Sequence, residues 1–158
     1  MQNPVGAGNL SASSHRARQI TVFLTKRVEF SASHRLFNPD FPEEKNWAVF
    51  GICNNPNGHG HNCVLDVTLA GEPDPQTGML IDLKRLKEIL DALLISRVDH
   101  KNLNLDVGFL RGCVPTVENL VIRFWEELDG KIPGCRLHEL VLYESRTNYA
   151  RYCGPQED

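Results

Sequence analysis

Residues 20–36, ITVFLTKRVEFSASHRL, are rich in β-branched and aromatic side chains. In the second half of this stretch Val28, Phe30, Ala32 and His34 fall on one side, and Glu29, Ser31, Ser33 and Arg35 on the other. A period of two predicts a strand with one buried face. His34 therefore points where the apolar residues point, and order is expected from about Gln19 onward. HGHNCVLDVTLAG, residues 59–71, repeats the pattern with His59, His61, Cys63, Leu65, Val67 and Leu69 on one face. The stretch between, FNPDFPEEKNWAVFGICNNPNG, has no period and reads as irregular.

The period then changes. After the turn signal PDPQTG, Asp82 is placed to cap LKRLKEILDALL, whose Leu83, Leu86, Leu90 and Leu93 predict one apolar stripe of a helix. ISRVDHKNLNLDVGFLRGCVP reads as a loop or broken strand. Thr116 opens a second helix that gathers Val117, Leu120, Val121, Phe124, Trp125 and Leu128 on one side, and KIPG closes it. RLHELVLYES, RTN and YARYC read as a hairpin. The order is β-β-α-α-β-β, with helices between two antiparallel pairs, which makes the class α+β.

Length and composition narrow this picture. A chain of 158 residues fits one domain, expected over residues 19–154 and large enough to fold without disulfides. Residues 1–18, MQNPVGAGNLSASSHRAR, lack apolar periodicity and read as a disordered tail, with a short C-terminal tail over residues 155–158. The first acidic residue is Glu29, so the start also resembles an organellar transit peptide, though it is short and weakly amphipathic. Seventeen basic against twenty acidic residues give a formal charge of -3, which argues against a protein-wide nucleic-acid footprint. Five cysteines at irregular spacings read as thiols in a reducing compartment. No apolar run approaches the ~18 residues of a membrane span. A soluble, cytoplasmic protein is the expectation.

The histidines change the functional picture. A single histidine on an apolar face is ordinarily a core residue, but His59 and His61 lie at i and i+2 on one strand, about 6.5–7 Å apart at the backbone. If the strand of His34 pairs alongside, three imidazoles converge. Such a set leaves a zinc ion one open position, as in catalytic sites. Cys53 and Cys63 are rival fourth ligands of a structural site. Cys63 reads equally as a small core residue, and Cys53 lies on a loop before the turn NNPNG. Asp99 and His100 form a couple able to take a proton from a thiol, although an Asp-His dipeptide is more often a solvated pair. Glu144 shares the face of Leu140 and Leu142 and needs a partner, either a ligand or an arginine such as Arg146 or Arg151. Thr116 and Glu118 are explained by capping and the helix dipole.

Taken together, FSASHRL, CNNPNGHGHN, MLIDLKRLK, VDHKNLN, PTVEN and VLYE resemble the 6-pyruvoyl-tetrahydropterin synthase family over roughly residues 28–154. The resemblance implies the tunnelling or T-fold, a β-β-α-α-β-β unit whose subunits close into barrels as trimers and stack as a homohexamer. It implies His34, His59 and His61 as ligands of one Zn2+ per subunit, and Cys53, Asp99 and His100 as the acid/base residues. It implies Glu144, with Thr116 and Glu118, as the pterin-binding set. The implied substrate is 7,8-dihydroneopterin triphosphate, converted to 6-pyruvoyl-tetrahydropterin with loss of triphosphate. Lys26, Arg27, Arg35 and Lys101 are candidates to hold the triphosphate. Two alternatives are 6-carboxy-tetrahydropterin synthase, whose cysteine lies closer to the HGH pair, and a zinc-stabilised pterin-binding protein without catalysis.

Overall fold

Strand β1 (Val22–His34) pairs antiparallel with β2 (His59–Gly71) along its whole length, and the register sets His34 opposite His59 and Ala32 opposite His61. The computed structural model describes residues 20–156, so the reading of 1–18 as a tail and the start of order at Gln19 lie outside the described residues, as do 157 and 158. β2 pairs in turn with β4 (Arg136–Tyr143), and β4 with β5 (Tyr149–Tyr152), all antiparallel. A two-residue strand, β3 (Lys101–Asn102), joins the far edge parallel to β1. The five-stranded order is β3-β1-β2-β4-β5.

Alternation carries one face of this sheet into the core. Phe30, Leu65, Val67, Leu69, Leu140 and Leu142 are buried there together with Leu86, Leu90 and Leu94 of the first long helix and Leu120, Phe124 and Leu128 of the second. Phe30 meets Phe124 edge-on at 5.8 Å between ring centroids. The opposite face carries polar pairs, Arg27 with Asp66, Thr25 with Thr68 and Ser31 with Asn62, beside apolar residues such as Val64 and Val141. The antiparallel pairs and the helices over one face agree with the predicted α+β class.

Three α-helices of eight residues or more occur among the described residues, one more than the sequence pattern predicts. α1 (Glu43–Phe50) lies inside the stretch read as irregular. It has no apolar stripe, because the residue it buries is Asn46. That side chain accepts from Asn38 N–H and donates to the carbonyls of Asn38 and Phe41, so hydrogen bonds rather than apolar burial dock the helix. α2 (Leu83–Leu90) starts at Asp82, whose carboxylate accepts from the N–H groups of Lys84 and Arg85. It runs into a π-type turn, Asp91–Ile95, followed by a last helical turn, Ser96–Val98. The wider turn shifts the phase of the stripe. Leu94 is buried where Leu93 was expected, Ile89 joins the stripe, and Leu83 is exposed at the helix start. α3 (Val117–Leu128) begins as predicted at Thr116, whose hydroxyl accepts from Asn119 N–H. No helix among the described residues is long and apolar enough to cross a membrane.

Candidate active site

The end of the β1–β2 pair brings three imidazoles together. The potential ligand atoms of His34, His59 and His61 all lie within 4.8 Å of one another, and the Nε2 atoms of His34 and His59 are 3.1 Å apart. His34 is 2% exposed. Its Nδ1 lies 2.8 Å from the carbonyl oxygen of Pro115, which can only accept, so Nδ1 carries the proton and Nε2 presents a lone pair to the cluster. A metal-binding histidine is oriented by this kind of bond.

Burial disfavours the charged forms of His34 and His59. Burial is the largest cause keeping the pKa of His34 below the ordinary histidine value, and the Pro115 bond opposes it. Burial also lowers His59, with the neighbouring His61 adding to the effect. His61 Nε2 is buried without a hydrogen-bond partner among the described residues. The unpartnered His61 Nε2 is costly to bury, and a cation shared by the three converging ring nitrogens would satisfy it. The donor set fits a zinc ion.

Glu144 closes one side of the cluster. Its Oε1 lies 3.6 Å from His34 Nε2 and 3.7 Å from His61 Nε2. Neither Arg146 nor Arg151, weighed as its partners, forms an ion pair with it among the described residues, and Arg151 pairs instead with Glu139. Glu144 also lines a cavity of about 500 Å³ with Leu36, Thr116, Glu118, Asn148 and Tyr149. The three residues the resemblance assigns to pterin binding therefore share one cavity, which opens beside the histidines. The tip of the β4–β5 hairpin supplies Asn148 and Tyr149, which the sequence showed only as turn and strand residues. Glu144 N–H is held by the carbonyl of Asn148 at 3.1 Å, so that turn also fixes the backbone behind the carboxylate.

The two cysteines separate cleanly. Cys63 is buried in the core, and burial, helped by the Glu144 charge, pushes its thiol up to about 11, so it remains protonated. It is not among the clustered metal donors. Cys53 sits half-buried on a 3-10 turn, Gly51–Asn54, whose position is set by the bond from Leu36 N–H to the Cys53 carbonyl.

Asp99 and His100 lie beside β1, at its edge with β3. Asp99 Oδ1 accepts from Ser31 N–H at 2.8 Å and its other oxygen lies 2.9 Å from His100 Nδ1. The Ser31 bond is the largest cause holding the Asp99 carboxyl below the usual range, and His100 adds to it. His100 has φ of 57°, a left-handed backbone for a non-glycine residue, fixed by its N–H on the Ser31 carbonyl. Its side chain is 82% exposed at the β3 edge. It lines a cavity of about 550 Å³ with Ser31, Ser33, His61, Asn62 and Lys101, so the couple and one histidine of the cluster border the same space. No hydrogen bond or ion pair among the described residues joins this couple to Cys53.

Known proteins share this framework. Human 6-pyruvoyl tetrahydrobiopterin synthase is 40% identical over 137 residues, covering 87% of this chain and 94% of its own. The structure of Caenorhabditis elegans 6-pyruvoyl tetrahydropterin synthase superposes with a TM-score of 0.82 at 38% identity, covering 88% of this chain and 99% of that one, and its architecture is the T-fold. A more distant relative, the 6-carboxy-5,6,7,8-tetrahydropterin synthase of Synechocystis sp., is 32% identical over 136 residues, covering 83% of this chain and 92% of its own. Residues 23–155 match the family described as 6-pyruvoyl tetrahydropterin synthase, and with the fold, the histidine cluster and the Glu144 cavity in agreement, the chain belongs to that family.

Proposed function

We propose that the protein converts 7,8-dihydroneopterin triphosphate to 6-pyruvoyl-tetrahydropterin, eliminating triphosphate, as a zinc-dependent enzyme of tetrahydrobiopterin biosynthesis. The observation that carries this reading is the position of Glu144, which faces the His34–His61 nitrogens on one side and the cavity shared with Thr116 and Glu118 on the other. A carboxylate there accepts two hydrogen bonds from an aminopyrimidine edge, and so fixes the ring with its side chain toward the histidines. His34, His59 and His61 are the residues that hold zinc, and bound zinc supplies Lewis-acid polarisation of the substrate hydroxyls.

The chain's own groups then move the protons. In this reading Cys53 acts as a thiolate that takes and returns protons between side chain and ring, with Asp99 orienting His100 as its acid/base partner. Because that couple opens onto the exposed sheet edge and makes no bond to Cys53 of the same chain, it would serve Cys53 of an adjacent copy. This agrees with a homo-oligomer, a hexamer built as a dimer of trimers, in which the β3 and β5 edges are covered. Residues 19–154 act as the single catalytic domain, in the cytoplasm. Of the basic residues considered for the triphosphate, Arg27 is paired with Asp66 and Arg35 with Asn54, which leaves Lys26 and Lys101 as the candidates.

Incubating the purified protein with dihydroneopterin triphosphate and weighing the product tests the reading. A pyruvoyl product is expected. A carboxy product would transfer the chain to the activity named for its Synechocystis relative, and no turnover would leave only pterin binding.

A further inference from the structure

We propose that Arg35 is a positioning residue for Cys53. The inference rests on Cys53 being the acid/base thiol. Arg35 directly follows the cluster residue His34, and Asn54 directly follows Cys53. The guanidinium joins them with two bonds, Nε to the Asn54 backbone carbonyl at 2.8 Å and Nη2 to Asn54 Oδ1 at 2.9 Å. Asn54 is fully buried, so it has no water to exchange for these bonds. The guanidinium also lies over the Phe37 ring, 4.5 Å from its centroid.

Behind it the Arg35 backbone is equally fixed. Asn104 accepts from Arg35 N–H at 2.7 Å and donates to the Arg35 carbonyl at 2.9 Å, while its own N–H is held by Asn102 Oδ1. The turn that carries the thiol is thus tied at residue 54 to the strand that carries His34. Two bonds from one planar fork to a backbone and a side-chain oxygen set orientation as well as distance. A lysine supplies the charge without the fork. The assignment removes Arg35 from the triphosphate-holding set: a phosphate contact by this side chain would have to compete with both Asn54 bonds.

Full-length, zinc-loaded Arg35→Lys and Asn54→Leu variants test this. Misplacing a reacting group by about 1 Å costs up to ~10²-fold in rate, so each variant is expected to lose about 10- to 100-fold in kcat. KM and zinc content should stay near native, and the double variant should lose no more than the worse single one. The alkylation rate of Cys53 by iodoacetamide, followed by peptide mass, should change in both variants while that of Cys153 does not. Native kcat and native Cys53 alkylation in Arg35→Lys would overturn the proposal. So would a defect confined to KM, which would make Arg35 a substrate-binding residue, or additive losses in the double variant. If Arg35→Lys fails to fold, Asn54→Leu carries the same test, with Asn54→Asp expected to retain kcat because its carboxylate still accepts from the fork. Native turnover in Cys53→Ala would instead remove the catalytic role of the thiol. In that case the Cys53 alkylation response would still report whether the clamp exists.

Discussion

His34 donates its Nδ1–H to the carbonyl of Pro115 at 2.8 Å, so the metal cluster is coupled to the residue just before the Thr116 cap that opens α3. The bond settles which nitrogen faces His59, and it joins the cluster to the wall of the Glu144 cavity. The purified protein is accordingly expected to carry about one zinc ion per chain, and His59→Ala or His61→Ala should lose it. Cys53→Ala should keep it, because the thiol is not among the clustered donors. Elemental analysis decides this: full zinc in the histidine variants would sink the site, and zinc loss in Cys53→Ala would make that thiol a ligand.

The buried imidazoles predict a pH dependence with a definite sign. In the folded state His34 and His59 have pKa values held below the ordinary one, mainly by burial. The unfolded chain takes up their protons near the ordinary value, about 6.5. Their contribution to stability is therefore present above that pH and is lost as pH falls through the lowered folded values. Zinc-free protein should show a melting temperature that drops more steeply between about pH 7 and 5 than that of His34→Gln, since the neutral side chain has no proton to take up. Parallel curves for the two proteins would show that His34 does not titrate with unfolding.

Gly58 offers a probe of how closely the cluster is built. Its φ is +70°, and an added Cβ would lie 2.8 Å from the carbonyl oxygen of His34. The left-handed backbone alone costs a non-glycine residue about 1–2 kcal/mol, and the contact with a paired strand adds to it. Gly58→Ala should lower the melting temperature and weaken zinc retention together. Gly78 has similar φ with open space around it, so Gly78→Ala should lose stability without losing zinc.

How much of this was legible in the sequence follows from what each element buries. β1 and β2 were readable because a period of two sorts their residues onto an apolar and a polar face, and the same alternation put His34, His59 and His61 on one side. α1 was not, since it docks through Asn46 and has no stripe to detect. The phase of α2 was misjudged after Leu90, because a π-type turn leaves no compositional mark. The Pro115 carbonyl and the Asn148 backbone serve the site as main-chain groups, which carry no side-chain signal at all. Arg35 was visible only as a positive charge. Its occupation by Asn54 depends on a meeting of residues 19 positions apart.

Separating acid/base residues from binding residues gives a kinetic prediction. If Cys53 moves protons, Cys53→Ala should lower kcat by about 10²- to 10⁴-fold with substrate binding largely kept. Glu144→Ala should chiefly weaken binding, because a carboxylate that pairs with the pterin edge contributes to ground and transition states alike. Calorimetry on both variants, beside turnover of the same triphosphate, distinguishes the two. Near-normal turnover of Cys53→Ala would exclude its catalytic role.

No hydrogen bond or ion pair among the described residues joins Cys53 to the Asp99–His100 couple, which makes the last prediction the most discriminating. His100 is exposed at the β3 edge, while Cys53 is half-buried at the end of the β1–β2 pair that carries the histidines. If the couple acts on the thiol of an adjacent copy, Cys53→Ala and His100→Ala should each be inactive alone, yet an equal mixture should recover activity. Each composite site draws its thiol from one chain and its imidazole from another, so about a quarter of sites would hold both native groups after random reassembly. The mixture must be unfolded and refolded together, or dissociated and reassociated, so that subunits exchange. Sedimentation of the native protein at micromolar concentration should show a trimer or hexamer. An active monomer, or a mixture as inactive as its parts despite demonstrated subunit exchange, would require Cys53 and His100 to meet within one chain, against the arrangement described above.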